Sequence, residues 1–391
     1  MRIGVVTFSS FLVDQRIIRE VKVLLEQGHQ VDVYDSAVQP KDDPNIRVID
    51  DVVYHHLLES DHLRFFNSAG RLNIAGIIAK QNYDVIHCHD FQALWIVGLI
   101  YSKNLFAGKR PKLIYDSHEY FIGYPAYPVV NKLNLITRFR LSIIKKFLNN
   151  TERKYIQYTD EVITVGDQIA NDMFTRFNLK KKVVVLRNIA EISVEDLNTQ
   201  FDLRSEFNIP ADHFLFIYVG SYISGWDHAQ VEFYKKMNRF LNCSLVLLIR
   251  GNYSDAIARL TELYGVKDRV HIKKPVRKEL VPAVIRAADA SVIPVWQPKF
   301  LSYWFLCPNK LFDAFQSGKP LFTTAQPEFV HYLNTYRNGT FYNPTVENDF
   351  EKAMGELINH YDIYLRNAKE STQHFSWGDE KKKLSDLYKN L

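Results

Sequence analysis

The chain has 391 residues, more than one ordinary domain holds, so two domains are expected. Its 47% hydrophobic and 24% charged residues exclude a disordered chain, and 16 Gly and 14 Pro exclude a collagen-like one. A net charge of +5 is too small for a dedicated nucleic-acid binder but suits an anionic small molecule or an anionic membrane surface.

No run reaches the ~20 apolar residues that a spanning helix needs. The opening MRIGVVTF reads as a strand rather than an export signal, so a cytoplasmic location is expected. Cys88, Cys243 and Cys307 lie far apart with no C-x-x-C pair, which points to buried thiols and not to zinc or a disulfide framework.

In chain order, residues 3–8 form an apolar run, followed by a helical pattern over 13–26 and a second run at 31–34. Residues 84–88 come next, then an apolar helix around 94–100, and short runs at 113–115, 162–165 and 183–186. Short apolar runs alternating with helices predict a parallel sheet covered on both faces. Residues 187–213 are polar without apolar period, and the domain boundary is placed there. The pattern restarts at 214–219, with a helix from about 227, and continues through 245–249, 270–272, 291–295 and 321–323. Ligands of such sheets bind beyond the carboxyl ends of the strands.

Strand ends in the first half collect polar residues: His87, His89 and Asp90 in DVIHCHD, and Asp116, His118 and Glu119 in YDSHEYF. A His beside a carboxylate at a strand end can bind a hydroxyl or move a proton. Asp90 before FQALWIV equally fits a helix N-cap. Metal binding is disfavoured, because the ligands are mixed and no helical H-x-x-x-H occurs. In the second half, Pro308 and Asn309 open a helix that runs to Gly318. Free amides at such a start bind phosphate, and Lys310 in the first turn is poor helix design unless an anion faces it. Asp313 follows on the same side, so an ordinary surface Lys–Asp pair is the alternative. Residues 131–158 carry Ile136, Phe139, Ile143 and Phe147 on one helical face and Arg138, Lys145, Lys146 and Arg153 on the other, with Arg140 and Lys154 intruding. That pattern suits an anionic leaflet or a core-packed helix with a solvated face.

These motifs, in this order and over the whole length, resemble glycosyltransferase family 4. The segments are DQRIIREVKVLLEQGHQVDVY, DVIHCHD, LIYDSHEYF, YTDEVITVGDQIANDM, FLFIYVGSYISG, ADASVIPV, PNKLFDAFQSGKPLF and FSWGDEKKKLSDLYKNL. The form PNKLFDAFQSGKP is similar to bacterial members that build capsule, O-antigen or exopolysaccharide. The resemblance implies an α/β GT-B fold, with two Rossmann-like doubly wound domains facing across a cleft. The expected divisions are 1–195 on the acceptor side, 196–372 for the nucleotide-sugar, and a terminal helix over 373–391 that crosses back to the first domain. It implies a retaining transfer from a nucleotide-sugar to a glycan or lipid-linked glycan, with no cofactor and no metal; no D-x-D occurs to hold one.

His118 would correspond to the histidine that contacts the donor sugar, with Glu119 beside it. Asp14 and Arg16 at the first helix, with His89 and Asp90, would lie on the acceptor side. Gly220 and Ser221 would form the phosphate-facing turn, and Pro308, Asn309 and Lys310 the anion-binding helix start. Asp313 would take the second acidic position of the family's E-x7-E motif, on the ribose; Phe305 stands at the first. The basic pair usual after the Gly220 turn gives way to Ser221, Trp226 and Asp227, leaving Lys310, Arg250 or Lys299 to supply the charge. Two other readings are a GT-B partner protein that has lost catalysis and a nucleotide-sugar epimerase.

Overall fold

Two sheets form where the apolar runs predict them, in a computed structural model that describes residues 1–35, 46–49, 51–56, 68–126, 133–221, 228–250 and 254–391. The chain divides into two units, Met1–Arg187 with Glu380–Leu391, and Asn188–Asp379. The first division falls a few residues before the expected 195. The second falls inside the last helix, Trp377–Lys389, rather than at 373.

The first unit holds β1 (Arg2–Val6), β2 (Gln30–Asp35), β3 (Ile46–Ile49), β4 (Val52–His56), β5 (Val85–His89), β6 (Lys112–Ser117), β7 (Glu161–Thr164) and β8 (Val184–Val185). They lie in the order β3-β4-β2-β1-β5-β6-β7-β8, parallel except for β3 against β4. The β3–β4 pair escapes the sequence pattern, because Arg47, His55 and His56 interrupt its apolar runs. The second unit holds β9 (Phe214–Ser221), β10 (Cys243–Arg250), β11 (Val270–Lys273), β12 (Ala290–Ile293), β13 (Leu321–Thr324) and β14 (Gly339–Tyr342). Their order is β11-β10-β9-β12-β13-β14, parallel throughout. In each sheet the strand order reverses beside its first strand, β1 and β9. Crevices for ligands open at such reversals, beyond the carboxyl ends of the strands.

Residues 187–213 are not the plain linker that their polarity suggests. Two five-residue helices form there, Val194–Asn198 capped by Ser193 and Leu203–Phe207 capped by Asp202. Leu203 and Ile209 enter the second unit's core, but helices this short leave no period to read. That unit's other core is aromatic, with Phe216, Phe233, Phe322, Tyr342 and Phe350 buried together. All three cysteines are buried thiols.

The last helix completes the first unit. Glu380, fully buried, accepts from the Arg187 backbone N–H at 2.9 Å, and Lys381 pairs with Glu26 at 2.5 Å. Leu384 and Tyr388 are buried beside them.

Candidate active site

In the first unit, β5 and β6 end side by side, with His89 paired to Asp116 in the register. This brings the two polar clusters together around the fully buried Asp116. The helix Gln15–Glu26 adds two residues from the other side. Arg16 Nη2 stands 2.8 and 3.0 Å from the Asp116 oxygens, its Nη1 donates to Leu186 O at 2.8 Å, and its Nε lies 2.9 Å from Glu20. Arg16 is therefore interior and fully committed, so it holds Asp116 in place instead of meeting an acceptor. Asp14 caps the same helix, accepting from the N–H groups of Arg16 and Ile17, and takes a bond from Ser9 Oγ.

Asp90 departs from its expected role as a cap. The N-cap position belongs to His89, without a side-chain bond, while Asp90 is the first helical residue, at φ +62°. Its Oδ1 instead accepts from the backbone N–H groups of His118 and Glu119, at 2.9 and 3.1 Å. An aspartate in the left-handed region costs about 1 kcal/mol or more, which these two bonds offset. They pin the start of the loop after β6. Glu119 is exposed and accepts from Tyr124.

His118 is mostly buried. Its Nε2 lies 3.2 Å from Asp116 Oδ2 and 3.0 Å from His89 Nδ1, and its Nδ1 lies 3.8 Å from Asp90 Oδ2. Burial works to lower its pKa, but Asp116, helped by Asp90, outweighs it and raises the value to about 9. His118 is thus an imidazolium at neutral pH. Burial opposes ionisation of Asp116 as well, yet Arg16 and His118 hold it well below the usual carboxylate range. Burial keeps His87 and His89 neutral, His87 with its pKa lowered to about 4. A His118 protonated at neutral pH is a poor general base there, but its Nδ1–H can donate to a hydroxyl.

Glu20, His87, His89 and Asp116 each offer a ligand atom, all within 4.8 Å of one another, which the sequence did not bring together. Arg16 already supplies positive charge to both carboxylates. A metal ion there would share these carboxylates with two cations, Arg16 and His118. Glu20 was readable only as the (i, i+4) partner of Arg16.

In the second unit, the helix Asn309–Ser317 begins after Pro308, an N-cap with no side-chain bond, and stops at Gly318 in the left-handed region at φ +69°. The Leu311 amide donates to Pro308 O at 2.9 Å, which leaves those of Asn309 and Lys310 for another acceptor. Lys310 turns back over the end of β9, where its Nζ donates to Tyr218 Oη at 2.9 Å and lies 4.4 Å from that ring's centre. A Cβ on Gly220 would stand 2.6 Å from Lys310 Nζ and push the lysine aside, and φ +147° itself favours glycine. Arg250, exposed at the end of β10, is in register with Ser221, whose backbone alone is described. Gly220, Ser221, Arg250 and Lys310 thus gather at the strand ends, while Trp226 and Asp227 lie outside the described residues. The alternative of a surface Lys–Asp pair does not describe this helix: Lys310 is turned to Tyr218, and Asp313 is 7% exposed. Phe305 closes the short helix Leu301–Trp304, half-buried, and Lys299 is exposed.

Residues 13–193 match the model of Glycosyltransferase Family 4, and residues 213–360 that of Glycosyl transferases group 1. The chain belongs to the GT-B glycosyltransferases. It is 22% identical to the uncharacterized glycosyltransferase MJ1607 of Methanocaldococcus jannaschii over 94% of its own length and 91% of that protein's. Its fold is similar to that of sucrose-phosphate synthase from Thermosynechococcus elongatus, at 16% identity and a TM-score of 0.71, covering 100% of this chain and 98% of that one. The Anabaena protein HepE, solved with UDP-glucose, is similar at 14% identity and a TM-score of 0.67, covering 100% of both chains. This glycosyltransferase therefore has the two-sheet α/β architecture that its strand pattern implied.

Proposed function

We propose that this glycosyltransferase moves a sugar from a nucleoside diphosphate donor to a glycan or lipid-linked glycan, with retention and without a metal, in bacterial surface polysaccharide synthesis. One observation carries the donor reading: Lys310 is held over Gly220 at the start of a helix whose first amides lack a side-chain cap. A fixed cation with free amides stabilises the charge that a diphosphate gains as it leaves. The UDP-glucose complex of HepE supports the same donor class. His118 donates from Nδ1 to a sugar hydroxyl, and the departing phosphate takes the acceptor's proton, so no dedicated base is needed. The test is calorimetry with a panel of nucleoside diphosphates. A charge-assisted bond contributes about 1.5–3 kcal/mol, so Lys310→Ala should weaken a diphosphate ten-fold or more and a bare nucleoside far less. If the variant binds every ligand as the unaltered chain does, the helix start is structural and the donor site lies elsewhere.

The acceptor reading rests on the helix Leu135–Tyr155. Leu135, Ile136, Phe139, Ile143, Ile144 and Phe147 are each at least 48% exposed, which a core-packed helix would not show. Arg138 lies opposite this apolar arc, and Arg140 and Lys146 lie near its borders, all exposed. Such a helix suits the surface of an anionic leaflet, where a lipid-linked acceptor resides, and so a cytoplasmic, peripheral location. No helix among the described residues is long and apolar enough to cross a membrane. Binding to phosphatidylglycerol vesicles should be strong at low salt, weak at high salt and absent in Phe139→Glu. Equal binding to neutral vesicles would count against this reading.

A further inference from the structure

The last helix places the Tyr388 hydroxyl 2.9 Å from His87 Nδ1, with both residues at most 2% exposed. The His87 ring stacks on His89 with centroids 4.4 Å apart, and His89 Nδ1 lies 3.0 Å from His118 Nε2. Three imidazoles thus connect the end of the chain to the strand-end histidine, all within the first unit. His87 Nε2 is buried with no hydrogen-bond partner among the described residues; Asp116 Oδ2 stands 4.0 Å away.

Neutral His87 carries one proton, and its neighbours decide where. Deep burial keeps the Tyr388 phenol protonated, so it can donate to Nδ1. The His87 proton then sits on Nε2, where it faces the Asp116 carboxylate favourably; a lone pair there would be repelled. The next ring is set by His118 instead: its imidazolium Nε2–H lies 3.0 Å from His89 Nδ1 and 3.2 Å from Asp116 Oδ2, and the bond to His89 places that ring's own proton on Nε2 although Asp116 Oδ2 stands 3.7 Å from Nδ1.

We propose that Tyr388 is a positioning residue, whose hydroxyl sets the His87 tautomer and through it the field on Asp116 that holds His118. The proposal rests on His118 acting in transfer, as argued above. The charged and titratable groups around His118 are Asp116, Asp90, His89 and Glu119, with Arg16 and Glu20 behind Asp116. From the last helix, Tyr388 is the member that reaches this set.

The test is histidine side-chain NMR and transfer kinetics on the full chain, comparing Tyr388→Phe with Leu384→Val. The first removes one hydroxyl; the second loosens the same buried helix and leaves the hydroxyl in place. Tyr388→Phe should move His87 toward the Nδ1–H tautomer and raise the His118 titration midpoint by about half a unit or more. It should lower kcat several-fold at an unchanged donor KM, and the alkaline limb of the pH profile should follow the NMR midpoint. Leu384→Val should lower the melting temperature without moving either midpoint. Histidine resonances unchanged in Tyr388→Phe, or moved equally by Leu384→Val, would overturn the proposal. Shifted resonances with unaltered transfer would support the positioning role and sink the assignment of His118 to catalysis.

Discussion

Buried Glu152, with Glu20 raised by burial into the same range, and His118 make stability fall as pH rises, in successive windows. Glu152, 1% exposed, accepts from Tyr115 Oη at 2.9 Å, but its Oε2 has no hydrogen-bond partner among the described residues. Burial raises its pKa to about 7 from an ordinary 4.5. The folded chain therefore favours the protonated acid, and stability is lost as pH rises from about 4.5 through 7. His118 is raised to about 9 from 6.5, so its contribution is whole below about 6.5 and is lost as pH rises through 9. Glu152→Gln should raise the melting temperature at pH 8 and change it little at pH 5. His118→Gln should flatten the fall between pH 7 and 9. Thermal melts across pH 4–10 separate the two, and an unchanged lower window in Glu152→Gln would refute the first. Gly220 acts by space rather than charge. Gly220→Ala should displace the mobile end of Lys310 and weaken diphosphate binding about ten-fold, and should also lower stability because φ +147° strains an L side chain. Calorimetry beside a melting curve distinguishes lost binding from lost fold.

The helix Asn309–Ser317 was legible from sequence at both ends, because a Pro-Asn start and a Gly stop are local signals. Its structural and binding parts should separate cleanly. Gly318→Ala forces an L side chain to φ +69° and should cost about 1 kcal/mol of stability while leaving nucleotide affinity alone. Lys310→Ala should do the reverse. Parallel melts and titrations decide, and a shared loss in both variants would mean that the two functions cannot be divided. Other elements were less readable. The strands β3, β4 and β14 carry polar or small residues where an apolar run was sought. Asp90 looked like a cap, since an acid before FQALWIV satisfies the local rule; its bonds to His118 and Glu119 depend on a neighbouring strand. The network around Asp116 was half visible. DVIHCHD and YDSHEYF announced their histidines, whereas Arg16, Glu20 and Tyr388 come from helices far away in sequence and carry no local sign of meeting there.

At the scale of the molecule, the chain's two sheets account for the alternating pattern, and its last residues complete the first unit. Glu380, Leu384, Leu387 and Tyr388 are all buried against Met1–Arg187 or within its compact unit. A buried Leu contributes about 1.5–3 kcal/mol, so truncation after Asp379 should destabilise the first unit by several kcal/mol. Limited proteolysis should then cut within residues 1–187 first. Cleavage that begins in Asn188–Asp379 would show that the terminal segment does not support the first unit.

The contact between Tyr388 and His87 also sets an order of events during synthesis. The ribosome adds about 5–20 residues per second, so Asn188–Asp379 takes on the order of 10–40 s to make. Throughout that interval His87 waits without its hydroxyl, and the groove meant for the last helix stays open. The part made first thus stays incomplete until residues 380–391 have been made. A chain that stops anywhere in the second half therefore lacks the helix that covers His87, and its first unit is left incomplete.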